Sequence, residues 1–109
     1  MKYTYCLNQL RANEANADRI FLSYENAVKL CGPIDLHRYV TEDFGTVEAQ
    51  TPLLACEKLY GKYNVGQKPE GFTGRSMSLS DIVELCNNEK DPPEHTVWYC
   101  DSFSFKQIT

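Results

Sequence analysis

Residues 71–86, GFTGRSMSLSDIVELC, decide how the last third of this chain folds, because their apolar residues fit two different periods. Leu79, Ile82, Val83 and Cys86 would share one face of a helix capped by Ser78, whereas Ile82–Cys86 also fits a short strand. The polar segment NNEKDPPEH follows, and after it TVWYCDSFSF is rich in strand-forming residues. Two strands joined by a surface loop form an antiparallel hairpin, so the sequence favours a tight serine–aspartate turn that leads into a strand.

Shorter elements are predicted in the first half of the chain. The loose alternation of aromatic and polar residues in YTYCLNQL predicts a first strand over residues 3–10. Ser23 is a good N-cap for a short helix that ends at Cys31-Gly32-Pro33, because glycine suits the left-handed cap and proline cannot continue a helix. A further strand is predicted over residues 36–41, with a turn near residues 43–45.

The clearest helix begins at Thr51, which is a good N-cap, with Pro52 at the first helical position. Gly61 or Asn64 ends this helix, and residues 65–74 read as a loop. The predicted core-facing stripe of this helix is made of Leu53, Cys56, Leu59 and Tyr60. The predicted fold class is therefore α+β: a single small domain over residues 1–109, with an antiparallel sheet of about four strands, one main helix and one short helix.

Length and charge limit the class of protein. A chain of 109 residues corresponds to one domain, and its composition is that of an ordinary globular protein. The net charge of −4 argues against direct nucleic-acid binding, which needs a basic surface to displace counterions from phosphates. No apolar run is long enough to span a bilayer, so no membrane partner is expected.

Cysteine usage predicts a reducing compartment. The five cysteines are odd in number, are scattered, and contain no C-x-x-C pair, and the two histidines lie far apart. Nothing at the N-terminus resembles a secretory leader, so a cytoplasmic location is expected. The spacing predicts no metal site and no cofactor, although a zinc site built from scattered residues stays open as an alternative.

The serines and glycines of residues 71–80 lack the spacing of known catalytic or phosphate-binding motifs. GFTGRS has no G-K-[ST] sequence for phosphate, and GRSMS lacks the second glycine of a nucleophile elbow. No catalytic residue is predicted, although a pair between serine or cysteine and His95 stays open. The structural alternative is stronger: Ser78, Ser80 and Asp81 bond to the backbone of the turn, and Arg75 pairs with Asp81 or Asp101.

The segment VWYCDSFSF and the loop before it contain the candidate protein-binding residues. Trp98 and Tyr99 are either core residues of a strand, with Trp98 and Cys100 on one face, or an aromatic binding face. Acidic residues in predicted loops or at strand ends can be presented to a basic partner. These are Glu42, Asp43 and Glu48 and, in the loop before the last strand, Glu89, Asp91 and Glu94.

The pairing of F-x-G-R-S-x-S-x-S-D-I-V with a downstream W-Y-C-D-S-F-S-F resembles the YodL-like domain family, small bacterial modules found on conjugative elements and phages of Firmicutes. The segments YTYCLNQL, IFLSYENA and YGKYN are also similar to the family's N-terminal half. Ser104 departs from the family, which more often has glycine before the phenylalanine. The matching residues are Phe72, Gly74, Arg75, Ser76, Ser78, Ser80, Asp81, Ile82, Val83, Tyr99, Asp101, Ser102 and Phe105.

The resemblance implies a protein-binding role and supplies no catalytic residues. Members of the family are linked to binding of the actin-like cell-shape machinery and to the accessory proteins of mobile elements, which include anti-CRISPR inhibitors. The leading hypothesis is a non-enzymatic counter-defence inhibitor of a host RNA-guided nuclease, a type II effector first among targets. The alternatives are a binder of the cell-shape machinery and a small enzyme or metal-binding factor that uses cysteine and histidine. The sequence predicts neither the target nor the oligomeric state.

Overall fold

A five-stranded antiparallel sheet organises the chain, in the order β2-β1-β3-β4-β5. The computed structural model describes residues 1–65, 71–72 and 74–109. The strands are β1 (Lys2–Leu10), β2 (Tyr39–Glu48), β3 (Ile82–Asn87), β4 (Glu94–Cys100) and β5 (Phe105–Gln107). The helices are α1 (Tyr24–Cys31) and α2 (Pro52–Asn64), with 3₁₀ turns at Glu14–Asn16 and Leu36–Arg38.

Side-chain caps fix where both α-helices begin. The Ser23 side chain accepts a hydrogen bond from the backbone N–H of Asn26 at the start of α1. The Thr51 side chain accepts one from Leu54, and Pro52 occupies the first turn of α2. Each cap satisfies a backbone donor that has no partner inside the helix, so both predicted helix starts are confirmed.

The sheet is covered by α2 on one face and partly by α1 on the other. Successive residues of a strand point to opposite faces, so Val83 of β3 packs in the α2 cluster and Ile82 packs in the α1 cluster. The α2 cluster also contains Tyr3, Tyr5, Leu7, Ala55, Cys56, Leu59, Tyr63, Leu85 and Cys100. The α1 cluster contains Ala27, Val97 and Tyr99.

Two details of the predicted helices and sheet are corrected. Tyr60 was predicted to face the core, but its side chain is 45% exposed. Tyr63, one residue before the end of α2, is fully buried instead. The α+β class is confirmed, but the sheet has five strands, since Phe105–Gln107 pairs with β4 beyond a short loop. Three residues are too few to show the alternation of a strand, and only their pairing with β4 identifies them as a strand.

The predicted strand over residues 36–41 is present but begins only at Tyr39, and the predicted turn near residues 43–45 is wrong. Leu36–Arg38 is a 3₁₀ turn, and β2 runs without interruption through residues 43–45 along the whole of β1. Leu7 lies opposite Asp43 and Asn8 opposite Thr41, which makes Glu42 the extra residue of a β-bulge. Gly45 permits close approach instead of a turn, because a Cβ there would lie 3.2 Å from the Tyr5 hydroxyl.

No helix within residues 1–65, 71–72 and 74–109 has the length and apolar character needed to cross a membrane.

Candidate functional site

The serine–aspartate turn brings the two sequence motifs of the last third together. The backbone N–H of Asp81 donates to the Ser78 carbonyl at 3.1 Å and closes the turn directly before β3. Ser80 has a φ of 79°, the left-handed conformation that a type II turn requires at its third residue. Its N–H donates to the Cys100 carbonyl at 3.1 Å, and the Cys100 N–H donates to the Asp81 carbonyl at 2.8 Å, so the turn is bonded to the end of β4.

The side chain and carbonyl of Ser80 hold the turn in this conformation. Its hydroxyl accepts a hydrogen bond from the Phe21 N–H at 3.0 Å. The Ser80 carbonyl accepts one from the Tyr39 hydroxyl at 2.7 Å. Left-handed backbone is uncommon for a residue with a Cβ, and these fixed bonds offset its cost.

Asp81 is fully buried and connects the turn to β1. Its Oδ2 accepts hydrogen bonds from the Ser78 N–H at 2.9 Å and from the Gln9 side-chain amide at 3.0 Å. Its Oδ1 makes no hydrogen bond within the described residues and lies 3.6 Å from Nη2 of Arg75. Arg75 also donates to the Leu10 carbonyl at 2.7 Å. The arginine of the motif therefore pairs with Asp81, one of the two partners the sequence left open.

Burial raises the pKa of Asp81 to about 6, because the charged carboxylate loses its contact with water. The bonds from Gln9 and Ser78 and the charge of Arg75 act in the opposite direction. The Asp81 carboxylate therefore joins Gln9, the Ser78 backbone and Arg75 in one buried network, where it is not open to a substrate. The predicted bonds of the serine hydroxyls to the backbone of the turn are wrong, because the Ser78 hydroxyl has no hydrogen-bond partner within the described residues and the Ser80 hydroxyl bonds to Phe21.

Gly74 allows close packing in this network and does not form a phosphate cradle. A Cβ at Gly74 would lie 2.7 Å from Oε1 of Gln9 and equally close to the Phe72 ring. That side-chain oxygen in turn accepts a hydrogen bond from the Arg75 N–H at 3.2 Å. The space in front of the glycine is thus filled by the protein itself, which explains the F-x-G-R part of the motif.

The predicted aromatic binding face is not presented to solvent as a whole. Tyr99 is fully buried, its hydroxyl donates to the Leu22 carbonyl at 2.8 Å, and its ring meets Tyr24 edge to face. Trp98 is half-buried against the α2 cluster and donates to the Thr96 hydroxyl. Of the two alternatives that the sequence left open, burial therefore favours the core strand: Trp98 and Cys100 pack in the α2 cluster, and Tyr99 packs in the α1 cluster on the opposite face.

The predicted acidic residues Glu89, Asp91 and Glu94 are exposed at the loop between β3 and β4. Lys90 lies within this loop, and its ammonium group contacts the Glu94 carboxylate at 3.0 Å. The seven residues of β4 separate the start of that strand from its other end by about 20 Å. The acidic loop and the serine–aspartate turn therefore lie at opposite ends of β4.

A short loop at the far end of β4 contains the most exposed large apolar residue described in the chain. Phe103 is 102% exposed, as much as it would be in an extended peptide. The loop, Asp101–Ser104, is closed by a hydrogen bond of 2.8 Å from the Asp101 N–H to the Ser104 carbonyl. Oδ1 of Asp101 accepts two more, from Ser102 at 2.9 Å and from Tyr24, the first residue of α1, at 3.0 Å. We call this segment, with Phe105, the Phe103 loop.

A groove of about 480 Å³ lies along one side of the Phe103 loop, where Tyr60 of α2 packs edge to face on Phe105. A second depression of about 360 Å³ lies on the other side, next to the start of α1. The groove is lined by Glu57, Tyr60, Leu79, Cys100 and residues 101–105, and the depression adds Ser23 and Glu25. Among the described residues, the lining of both sites includes three carboxylates and no basic side chain. The sequence pointed to Asp101, Ser102 and Phe105 through the family motif, but not to Phe103 or the groove.

Two half-buried cysteines and a histidine lie on the part of the sheet that α1 leaves uncovered. Cys6 lies opposite Glu84 and Cys86 lies opposite His95, and these residues border an open site that also contains Phe44. Burial, followed by the charge of Glu84, raises the pKa of the Cys6 thiol, which lowers its reactivity. Among the described residues no three His, Cys, Asp or Glu side chains are grouped so as to hold a metal ion.

The family model of the YodL-like domain matches residues 4–109 of the chain. No curated protein and no solved structure gave a match. Because the model covers nearly the whole chain, the chain belongs to the YodL-like domain family.

Proposed function

We propose that this YodL-like domain is a non-enzymatic protein-binding module of a mobile element, and that it inhibits a host defence nuclease by occupying it. The first target class is the type II RNA-guided effector in the bacterial cytoplasm. The observation that supports a binding role is the Phe103 loop, which presents a fully exposed aromatic ring on hydrogen-bonded backbone.

The Phe103 loop has the physical properties of an interface anchor. Burial of a phenylalanine side chain stabilises a complex by roughly 1.5–3 kcal/mol, and a few such residues dominate the energy of most interfaces. The bonds from Asp101 to Ser102 and Tyr24 fix the loop before a partner arrives. A partner then does not have to order the loop, and this reduces the entropy cost of binding.

Charge supports a nuclease as the partner. The chain has a net charge of −4, and the described residues that line the two sites beside the loop include Glu25, Glu57 and Asp101 but no base. Nucleases present basic channels that otherwise receive phosphates, and complementary charge accelerates association with such surfaces.

The second candidate partner is the actin-like protein of the cell-shape machinery. The groove favours this partner through its apolar wall, since Tyr60, Leu79, Phe103 and Phe105 suit an apolar protein surface better than a phosphate channel. The family resemblance supports both candidates equally, so the experiment has to separate them.

The test is a titration of DNA cleavage by a purified type II effector with the wild-type domain, Phe103→Ser and a matched control, Phe44→Ser. Phe44 is also an exposed phenylalanine, at 75%, but it lies on β2, away from the loop. We expect the wild type to inhibit cleavage at about one domain per effector. Phe103→Ser should lose at least tenfold in affinity for the effector, which is about 1.4 kcal/mol, and Phe44→Ser should lose none. Both variants should unfold at the wild-type urea midpoint.

Three results would overturn parts of the proposal. Complete inhibition far below one domain per effector would show turnover and favour the enzyme that uses cysteine and histidine. Equal effects of the two phenylalanine variants would remove the Phe103 loop from the contact. No inhibition of type II effectors, together with co-sedimentation of the domain with the actin-like filament protein, would favour the second candidate.

A further inference from the structure

Building on the proposed binding role, we propose that the groove beside the Phe103 loop recognises an apolar side chain flanked by arginine or lysine in an exposed segment of the partner. The apolar side chain packs between Tyr60 and Phe103, and the basic groups pair with Glu57 and Asp101. The inference rests on the lining of the groove, its size and its charge.

The groove has the size and the lining needed to hold one apolar side chain and the residues next to it in a partner segment. Its volume of about 480 Å³ lies inside the usual range for ligand pockets, about 300–1,000 Å³. The Phe105 ring lies 6.4 Å from the Tyr60 ring in an edge-to-face contact, so the two rings form one apolar part of the lining. Phe103 is free to fold over a bound side chain, because the rest of the protein does not cover its ring.

The charges at the groove are available to a partner. Glu57 is exposed and forms no ion pair within the described residues. Asp101 uses Oδ1 for both of its backbone hydrogen bonds, which leaves Oδ2 for a further donor. Arginine is favoured over lysine here, because its fork of donors suits a carboxylate and its plane stacks on aromatic rings.

The same charges argue against a second copy of this chain as the occupant. A symmetric contact through the Phe103 loop would place the Glu57 and Asp101 carboxylates of both copies in one interface. Like charges brought together in this way cost several kcal/mol. The basic partner segment avoids this cost and gains from the same groups.

The experiment is a titration of ¹⁵N-labelled domain, followed by NMR, with three capped peptides at up to millimolar concentration. Their sequences are Ala-Arg-Leu-Arg-Ala-Ala, the same peptide with glutamate in place of arginine, and the same peptide with serine in place of leucine. We expect the first peptide to shift the amide signals of Ser102, Phe103 and Glu57, the serine peptide to shift them several-fold less, and the glutamate peptide to leave them unchanged. Added salt should weaken the first titration.

Two carboxyl variants separate the groove from general electrostatics. Glu57→Gln should weaken binding of the arginine–leucine peptide several-fold, whereas Glu89→Gln, at the opposite end of β4, should leave it unchanged. Equal weakening by both variants would show that only the net charge matters and would overturn the inference.

Other outcomes also count against the proposal. Equal shifts with the glutamate peptide, shifts centred on Phe44, or no shifts at millimolar peptide would overturn it. Shifts of the Phe103 loop on dilution of the domain alone would identify a second copy as the occupant. Peptide binding is measured without a nuclease, so it is independent of the inhibition assay. Peptide binding without any inhibition of an effector would defeat the proposed function alone. Inhibition that depends on Phe103 without peptide binding would defeat only the inference.

Discussion

Replacement of Asp81 by asparagine should remove a pH-dependent part of the free energy of unfolding. In the folded protein, burial raises the pKa of this carboxyl from its ordinary value of 3.8 to about 6. The folded state therefore holds the proton more tightly than the unfolded state. The stability that this proton provides is fully present below pH 3.8 and is lost as the pH rises through about 6. The difference corresponds to about 3 kcal/mol, a large part of the 5–15 kcal/mol that stabilises most domains.

Asparagine is the matched substitution because it has the shape of aspartate without its charge. Its oxygen can accept the bonds that Ser78 and Gln9 now donate to Oδ2. Relative to the wild type, Asp81→Asn should therefore gain about 2 kcal/mol of stability as the pH rises from 4 to 7. Asp81→Ala differs because it leaves the Ser78 N–H without its acceptor, and it should lower stability by roughly 1–3 kcal/mol.

The assay is urea unfolding of the wild type and both variants at several pH values from 4 to 7, followed by the fluorescence of Trp98. This residue is the only tryptophan and is half-buried against the α2 cluster, so its emission reports loss of the core. Other groups alter the pH dependence of all three proteins alike, so the difference between wild type and asparagine variant isolates Asp81. Parallel curves would refute the reasoning. A wild type that gains stability over Asp81→Asn as the pH rises would show that Arg75 outweighs burial.

Three further predictions concern the rest of the molecule. Charge reversal at Glu89 and Asp91 should weaken association with a nuclease and reduce its salt dependence without a change in the urea midpoint; an unchanged association rate would exclude this loop from the contact. Tyr63→Phe should lower the free energy of unfolding by about 1–2 kcal/mol. The Tyr63 hydroxyl donates to Asp43 at 2.6 Å and lies 2.9 Å from the Tyr5 hydroxyl in the core, and phenylalanine cannot make these contacts. An unchanged midpoint in urea would contradict this prediction. Purified protein should contain no stoichiometric zinc, and elemental analysis that finds one zinc per chain would raise the metal-binding alternative.

The elements with local signals were predictable. Ser23 and Thr51 cap the helices as expected, because a cap depends on a few residues that are neighbours in the chain. The hairpin of β3 and β4 was predicted from strand-forming residues on both sides of a polar loop. The turn over residues 43–45 was wrong because Gly45 resembles a turn residue locally, and only its position against the Tyr5 ring reveals its role.

The candidate site depended more strongly on contacts between distant segments. The sequence indicated that Asp81 bonds to its own turn, but not that Gln9 of β1 shares its carboxylate or that burial raises its pKa. It offered Asp101 as a possible partner of Arg75, whereas the structure shows that Asp101 accepts a hydrogen bond from the Tyr24 N–H of α1. It left open whether Tyr99 is buried or exposed and did not distinguish Phe103 from it, since both are aromatic residues in the same strand-like segment.

The sequence by itself determined the α+β class, both helix starts, the serine–aspartate turn and membership of the YodL-like domain family. These features depend on residue types at short spacing, which a linear pattern records. The tertiary structure alone decided the strand order, the uninterrupted β2 and the groove beside the Phe103 loop. Each of these depends on side chains that meet across many intervening residues. Whether a given side chain is buried or exposed is decided by this packing and not by its residue type.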